Sequence, residues 1–207
     1  MIELYTDSSP NSYKITILLE ELALPYLLHH VNIDKGEHQQ AEFLQLNPHG
    51  RIPVIFDSET GITLFESAAI LLYLAEKTGK LLPIKLSERW EAIKWLQFHS
   101  ASVGPIIGQW VNFAIFDGSP KQDVIERYLN LTYKAFSVLD NQLQKNDYIA
   151  GNEYSIADIA NFGWLHIARV IQLDFSQYKY LSAWYARLAA RPAIIKGITL
   201  PVPATGA

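Results

Sequence analysis

The sequence predicts a small α/β domain followed by an all-helical one. Three observations predict it. Short strand-like runs alternate with helical patterns only up to about residue 80. Beyond the "LLP" at 81–83 no convincing strand follows, and apolar residues recur only at helical spacing. The chain is 207 residues long and 49% apolar, which suffices for one or two modest cores. The reading places an α/β domain at 1–80 and an all-helical domain at 86–207.

Each element follows from local pattern. "IELY" is a short strand. Ile15, Leu18, Leu19 and Leu22 recur at helical spacing, with Lys14, Glu20 and Glu21 between them, so 11–23 reads as an amphipathic helix. "PYLLHHVNI" is a second strand, and residues 39–46 form a short helix stopped before Pro48. "IPVIFD" and "ITLF" are strands joined by the turn-like "SETG". "ESAAILLYLAEKTG" is a helix closed by Gly79, apolar nearly all round from Ala68 to Ala75 and so expected to be buried on every side. Ser87 is placed to cap a long helix that bends near Gly104-Pro105. Val124, Tyr128, Leu131, Ala135 and Val138 form a 3.6-residue stripe, widened by Ile125, Leu129, Phe136, Leu139 and Leu143. Ser155 and Asp158 make a capping box before a further helix. A last helix near 178–190 ends at "RP", and the tail "LPVPATGA" reads as loose.

Composition excludes several classes. A net charge of −4 and the lack of any Lys/Arg run argue against a nucleic-acid surface. No apolar run approaches the roughly 18 uncharged residues of a membrane helix. Glu3 and Asp7 lie where an export signal would be basic and apolar, so the expected location is the cytoplasm. With no cysteine, the chain has no disulfide, thiolate metal site or thiol nucleophile of its own. The six histidines, 29, 30, 38, 49, 99 and 166, lack metal-ligand spacing, so no metal is expected.

Three stretches carry chemistry, each with a plainer alternative. Ser8–Asn11 opens a helix, whose free N–H groups and dipole attract an anion such as a thiolate, and a serine hydroxyl there can donate as well. The same residues also make an ordinary cap. In "RIPVI", a cis bond at Pro53 would turn the Ile52 backbone toward a peptide-like ligand as an added strand. By base rate alone, trans at a strand edge is the expectation. In "FESAAI", Glu66 can accept from an ammonium while Ser67 and the helix end hold a carboxylate; Ser67 can equally be a cap. His38 and Gln40 lie in the polar loop "DKGEHQQ", within reach of a ligand or simply solvated. Arg127 sits on a polar helix face and reads as a solvent charge. Trp110, Phe113 and Phe116 line an apolar pocket or pack a core.

Taken in order, "SSPNSYKITILLEE", "LNPHGRIP", "LFESAAILLYLAEKTG", "IERY" and "YSIADIA" resemble the glutathione transferase superfamily, most closely its bacterial Nu class. The resemblance spans nearly the whole chain. It implies a thioredoxin-like domain with a cis bond at Pro53, then an all-α domain, in a homodimer whose glutathione sites border the interface. Ser9, Pro10 and Asn11 match the class motif Thr-Pro-Asn, so Ser9 and Asn11 are implied to approach the glutathione sulfur. Ile52 is implied to offer its backbone to the cysteinyl part, and Glu66 and Ser67 to hold the γ-glutamyl head. Arg127 falls where the class has an arginine reaching the partner subunit's ligand. His38 and Gln40 occupy the places where the class commonly has Gln and Arg. Tyr5 lies inside the first strand and ranks below Ser9.

The resemblance implies a glutathione-dependent disulfide reductase in which the reactive sulfur belongs to glutathione, the co-substrate. Two alternatives stand beside it: a transferase acting on electrophiles, and a non-catalytic glutathione-binding regulator like the related yeast prion protein.

Overall fold

The computed structural model describes residues 1–201 except 118 and 120. The chain forms two compact units, Met1–Lys80 joined by the segment that starts at Ala189, and Leu81–Leu188.

In the first unit the order is β1 (Ile2–Thr6), α1 (Pro10–Leu22), β2 (Tyr26–His30), a 3-10 turn at Glu37–Gln39, α2 (Ala41–Leu46), β3 (Val54–Asp57), β4 (Ile62–Phe65) and α3 (Ser67–Thr78). The strands form one sheet in the order β2-β1-β3-β4. β1 runs parallel to β2, as the intervening crossover helix requires, and antiparallel to β3; β3 and β4 make a hairpin. This is a thioredoxin-like arrangement.

Side chains of β1 alternate between the two faces of the sheet. Ile2, Leu4 and Thr6 are buried on one. Tyr5 turns to the other, where it packs with Leu46 and Ile52 against Val31, Phe43 and Val54. Tyr5 also donates to Glu3 Oε2 at 3.1 Å and stacks on His29, an interior role in keeping with its place inside the strand.

α1 departs from the amphipathic expectation, because every residue from Ser12 to Leu19 is buried. α9 (Pro192–Gly197), which the sequence reading missed, explains part of that. Thr16 Oγ1 donates to Gly197 O at 2.7 Å. A Cβ on Gly197 would sit 2.6 Å from Ile17 Cγ1, so glycine permits this approach. Arg191 adds a bidentate pair to Glu21 at 2.7 and 2.8 Å. The segment from Ala189 therefore packs with the first unit, whereas the sequence reading had placed 86–207 together. α3 closes at Gly79 in the left-handed region, as expected. It is buried along Ile70, Leu71, Leu74 and Ala75 only, and Leu72 and Tyr73 stay half-buried.

The second unit contains α4 (Leu86–Phe98), α5 (Gly104–Val111), α6 (Gln122–Leu143), α7 (Ile156–Val170) and α8 (Lys179–Ala189). Ser87 does not cap α4; Lys85 stands at that position without a side-chain capping bond. Where a bend was expected near Gly104-Pro105, a π-helical turn over His99–Val103 ends just before Gly104, and Pro105 after it cannot donate to the preceding turn. A second π turn, Asn112–Phe116, follows α5. The buried face of α6 is Thr132, Ala135, Phe136, Leu139 and Leu143, while Val138 is exposed. At α7, Ser155 and Asp158 form the expected capping box. Buried Asp158 accepts from Ser155 N and Ile149 N at 3.0 and 2.9 Å, from Trp184 Nε1 at 2.8 Å and from Ser155 Oγ at 3.2 Å. Burial raises its pKa to about 6, against the opposing pull of these donors. No helix among the described residues is long and apolar enough to cross a membrane. Of the "LPVPATGA" tail, 202–207 lie outside the described residues.

Candidate functional site

The first turns of α1 and α3 and the loop before β3 enclose one cleft of about 190 Å³. It is lined by Asn11, Asn47, His49, Arg51, Ile52, Pro53, Glu66 and Ser67. Three distant stretches of sequence thus meet within one unit.

At α1, Ser9 is the N-cap. Its hydroxyl accepts from Ser12 N at 3.1 Å and donates to Ser12 Oγ at 2.9 Å. The capping alternative is therefore real, and the Ser9 proton is directed into the helix rather than the cleft. Ser9 is not among the lining residues, whereas Asn11, on the same turn, is. Ser8 pairs with Tyr13 OH at 2.6 Å.

Lys14 follows one turn on. The sequence reading put it on a polar exterior face, yet it is only 3% exposed. Its ammonium donates to Asn11 Oδ1 at 2.8 Å and to Ser67 Oγ at 3.2 Å, tying the start of α1 to the start of α3. Burial lowers its pKa to about 7, an effect partly offset by the charge of Glu66. Lys14 therefore changes charge near neutrality.

The loop before β3 is organised by Asn47, buried at the end of α2. Its amide donates to Arg51 O at 2.6 Å, and its Oδ1 accepts from His49 N at 3.0 Å. Gly50 turns the chain at φ +61°, a left-handed conformation that glycine tolerates. Gln39 Nε2 donates to Gly50 O at 3.0 Å, and a Cβ on Gly50 would lie 2.5 Å from that nitrogen. The Ile52–Pro53 bond is cis, contrary to the base-rate expectation and in line with the resemblance. β3 begins at Val54, so the Ile52 backbone lies outside the ladder.

Glu66 is the N-cap residue of α3 and has no side-chain cap bond; its backbone is at φ +70°, ψ 107°. That conformation is rare for a residue with a Cβ, and such strain concentrates at binding sites. Ser67 is the first residue of α3, not its cap, and its hydroxyl faces Lys14.

The structure thus brings Asn11, Ile52, Pro53, Glu66 and Ser67 to one wall, with Ser9 behind the same helix turn. His38 and Gln40 do not line the cleft. His38 sits on the 3-10 turn, with Nδ1 buried and lacking a hydrogen-bond partner among the described residues, and Gln40 is exposed ahead of α2. Arg127 is exposed on α6 of the second unit. Sequence reasoning missed Lys14, Asn47, His49 and Arg51 as site residues. Three of these lie inside "LNPHGRIP", and Lys14 stands at i+3 from Asn11, the spacing that puts two side chains on one helix face.

The cleft offers a carboxylate, a hydroxyl at a helix N-terminus, an unladdered backbone and a guanidinium. That set matches a short peptide bearing both an ammonium and carboxylates.

The family profile described as the N-terminal domain of glutathione S-transferase matches residues 8–77, and that of the C-terminal domain matches 69–192. The chain belongs to the glutathione transferase superfamily. The chain is 38% identical to the disulfide-bond oxidoreductase YfcG of Escherichia coli over 93% of its own length and 92% of the relative's. It superposes with a TM-score of 0.92 on a glutathione transferase homologue of Lodderomyces elongisporus holding two glutathiones per subunit. The two are 34% identical, over 97% and 98% of the chains. With a Pseudomonas putida glutathione transferase holding one glutathione disulfide per subunit, the TM-score is 0.90 at 36% identity, over 97% and 91% of the chains.

Proposed function

We propose that this glutathione transferase reduces disulfides with glutathione, supplying the site while the ligand supplies the sulfur. One observation carries the reading: Asn11, Ile52, Pro53, Glu66 and Ser67, from three separate stretches, line a single cleft in a cysteine-free thioredoxin-like unit.

In this reading Glu66 accepts from the γ-glutamyl ammonium. Ser67 and the N-terminal N–H groups of α3 hold its carboxylate. The Ile52 backbone pairs with the cysteinyl residue as a short added strand. The sulfur meets the first turn of α1, with Asn11 as its principal donor and Ser9 holding that turn as its cap. Arg51 and His49 are better placed for the glycyl carboxylate than His38 and Gln40, because only the former line the cleft.

A free thiol has a pKa of about 8.5, and lowering it by one unit takes about 1.4 kcal/mol. A charge-assisted hydrogen bond and a helix N-terminus are each about that large. The ionised glutathione attacks one sulfur of RSSR, giving the mixed disulfide and RS⁻. A second glutathione thiolate attacks the glutathionyl sulfur of the mixed disulfide, giving glutathione disulfide and a second RS⁻. The two product thiolates take up two protons, matching the two lost by the glutathiones. Relatives that hold two glutathiones or one glutathione disulfide support this reading, since those are the two redox ends of the exchange. The protein is read here as a cytoplasmic homodimer in which Arg127 reaches the partner subunit's ligand.

Conjugation of electrophiles would use the same thiolate. The test is purified protein with glutathione and either bis(2-hydroxyethyl) disulfide or an aryl halide. Disulfide turnover well above aryl halide turnover is expected. The reverse order favours conjugation, and glutathione binding without either turnover favours a regulator.

A further inference from the structure

Burying an ammonium is costly, and a methionine of similar length would fill the space of Lys14 without that cost. Yet Lys14 is sealed from solvent at the one turn that offers Asn11 to the cleft. An ammonium can only donate, so the 2.8 Å contact fixes which end of the Asn11 amide faces it: Oδ1 is turned to Lys14, and the Nδ2 donor lies on the other side. The second contact, to Ser67 Oγ, fixes that hydroxyl as an acceptor on this side.

We propose that Lys14 is the positioning residue of the sulfur corner, holding Asn11 so that its amide N–H donates to the glutathione thiolate and supplying positive charge that strengthens when the thiolate forms. This rests on the function proposed above. The charged group that acts on it is Glu66 at the start of α3; His49 and Arg51, on the loop before β3, line the cleft that Asn11 faces. Glu66 is there in the free protein as well, so what changes on binding is the arrival of the ligand's charges. When the thiol ionises, its proton leaves to solvent, and the neutral fraction of Lys14 takes a proton up. The coupling is reciprocal: if Lys14 lowers the thiol pKa, the thiolate raises that of Lys14 by the same factor.

Two measurements test it. In the wild-type protein, ¹³C NMR of the lysine ε-carbons follows the Lys14 titration with glutathione and with S-methylglutathione, which has the same peptide but no ionisable thiol. Lys14 should titrate at higher pH with glutathione. Coincident curves overturn the proposal without any variant. In Lys14→Met, ultraviolet thiolate absorbance of bound glutathione should titrate about one unit higher, a tenfold loss of thiolate well below the pKa. Lys14→Arg should recover part of the shift, and S-methylglutathione should bind nearly as before. An unshifted titration in folded Lys14→Met overturns the proposal. So does an equal loss of both ligands, which would mark a merely structural role. If the wild-type protein binds no glutathione at all, the proposed function falls and this inference with it. Binding with an unchanged Lys14 titration removes this inference alone.

Discussion

Lys14 Nζ lies 2.8 Å from Asn11 Oδ1, and both residues belong to the first turns of one helix, the lysine buried and the asparagine on the cleft wall. A site residue is thus held by a charge that the fold alone would be better without. Because burial lowers the Lys14 pKa from 10.5 to about 7, the folded protein binds this proton less readily than the unfolded chain does. The destabilisation is full below about pH 7 and is relieved as pH rises toward the unfolded value. Denaturant unfolding of the free protein should therefore show Lys14→Met more stable than wild type at pH 6. The difference should shrink between pH 7 and 10. A less stable Lys14→Met at pH 6 would contradict this.

Asn11 and Ser9 should separate by kind of effect. Asn11→Ala removes a donor to an anion, worth about 1.5–3 kcal/mol, so disulfide turnover should fall about tenfold to a hundredfold. Ser9→Ala removes a cap and should lower stability by about 1 kcal/mol, with a smaller loss of turnover. Steady-state rates beside thermal melts decide it. Turnover that collapses in Ser9→Ala and survives in Asn11→Ala would reverse the assignment.

Glu66 should show a trade between stability and binding. At φ +70° a glycine relaxes the backbone, so Glu66→Gly should be neutral to stabilising by up to about 1 kcal/mol. The same change removes the carboxylate proposed to hold the γ-glutamyl ammonium. Calorimetric titration should show glutathione affinity down at least about tenfold. Unchanged affinity would dismiss that role.

Acid stability should depend on Asp57. Its carboxylate is buried, which alone would raise its pKa, but Lys77 at 2.8 Å and Tyr73 at 2.6 Å lower it to about 2. A carboxyl lowered in the fold contributes stability above its unfolded value of about 3.9, lost as pH falls toward 2; the amount is about 2 kcal/mol. In Lys77→Met the fall in stability between about pH 5 and 2 should flatten, as read by urea unfolding at each pH. Parallel curves for the two proteins would refute it.

Asp158 should matter to the fold rather than to catalysis. Asp158→Ala leaves the buried donors of Ser155, Ile149 and Trp184 without their acceptor, a loss of about 3 kcal/mol or more. Thermal unfolding should show a large drop, while glutathione affinity of the folded fraction stays the same. A small drop would mean that other acceptors replace it.

Much of this was legible in the sequence, because local signals agreed with the fold. The short strand runs, the Ser155–Asp158 box and Gly79 as a cap are short-range patterns, and the structure has a strand within each run and both caps in place. What escaped depended on long-range packing. α1 looks amphipathic in isolation, but α9 covers a face that its own residues mark as polar, and nothing local says so. The start of α9 did carry a signal, Pro192 at the first helical position, which was read as a stop. Lys14 was counted among the polar positions of an amphipathic helix, and only its spacing from Asn11 hinted at another role. The cis bond at Pro53 was against base rates and legible only through the resemblance. His38 and Gln40 were placed by loop position, whereas the residues facing the cleft come from the neighbouring turn fixed by Asn47 and Gly50.

The central claim is that a chain without cysteine ionises a borrowed thiol at the start of α1. Ultraviolet titration of glutathione bound to the wild-type protein tests it most directly. The account predicts a thiol pKa at least about one unit below the free value of about 8.5, with most of the shift lost in Asn11→Ala. A bound thiol that titrates like the free one would contradict it.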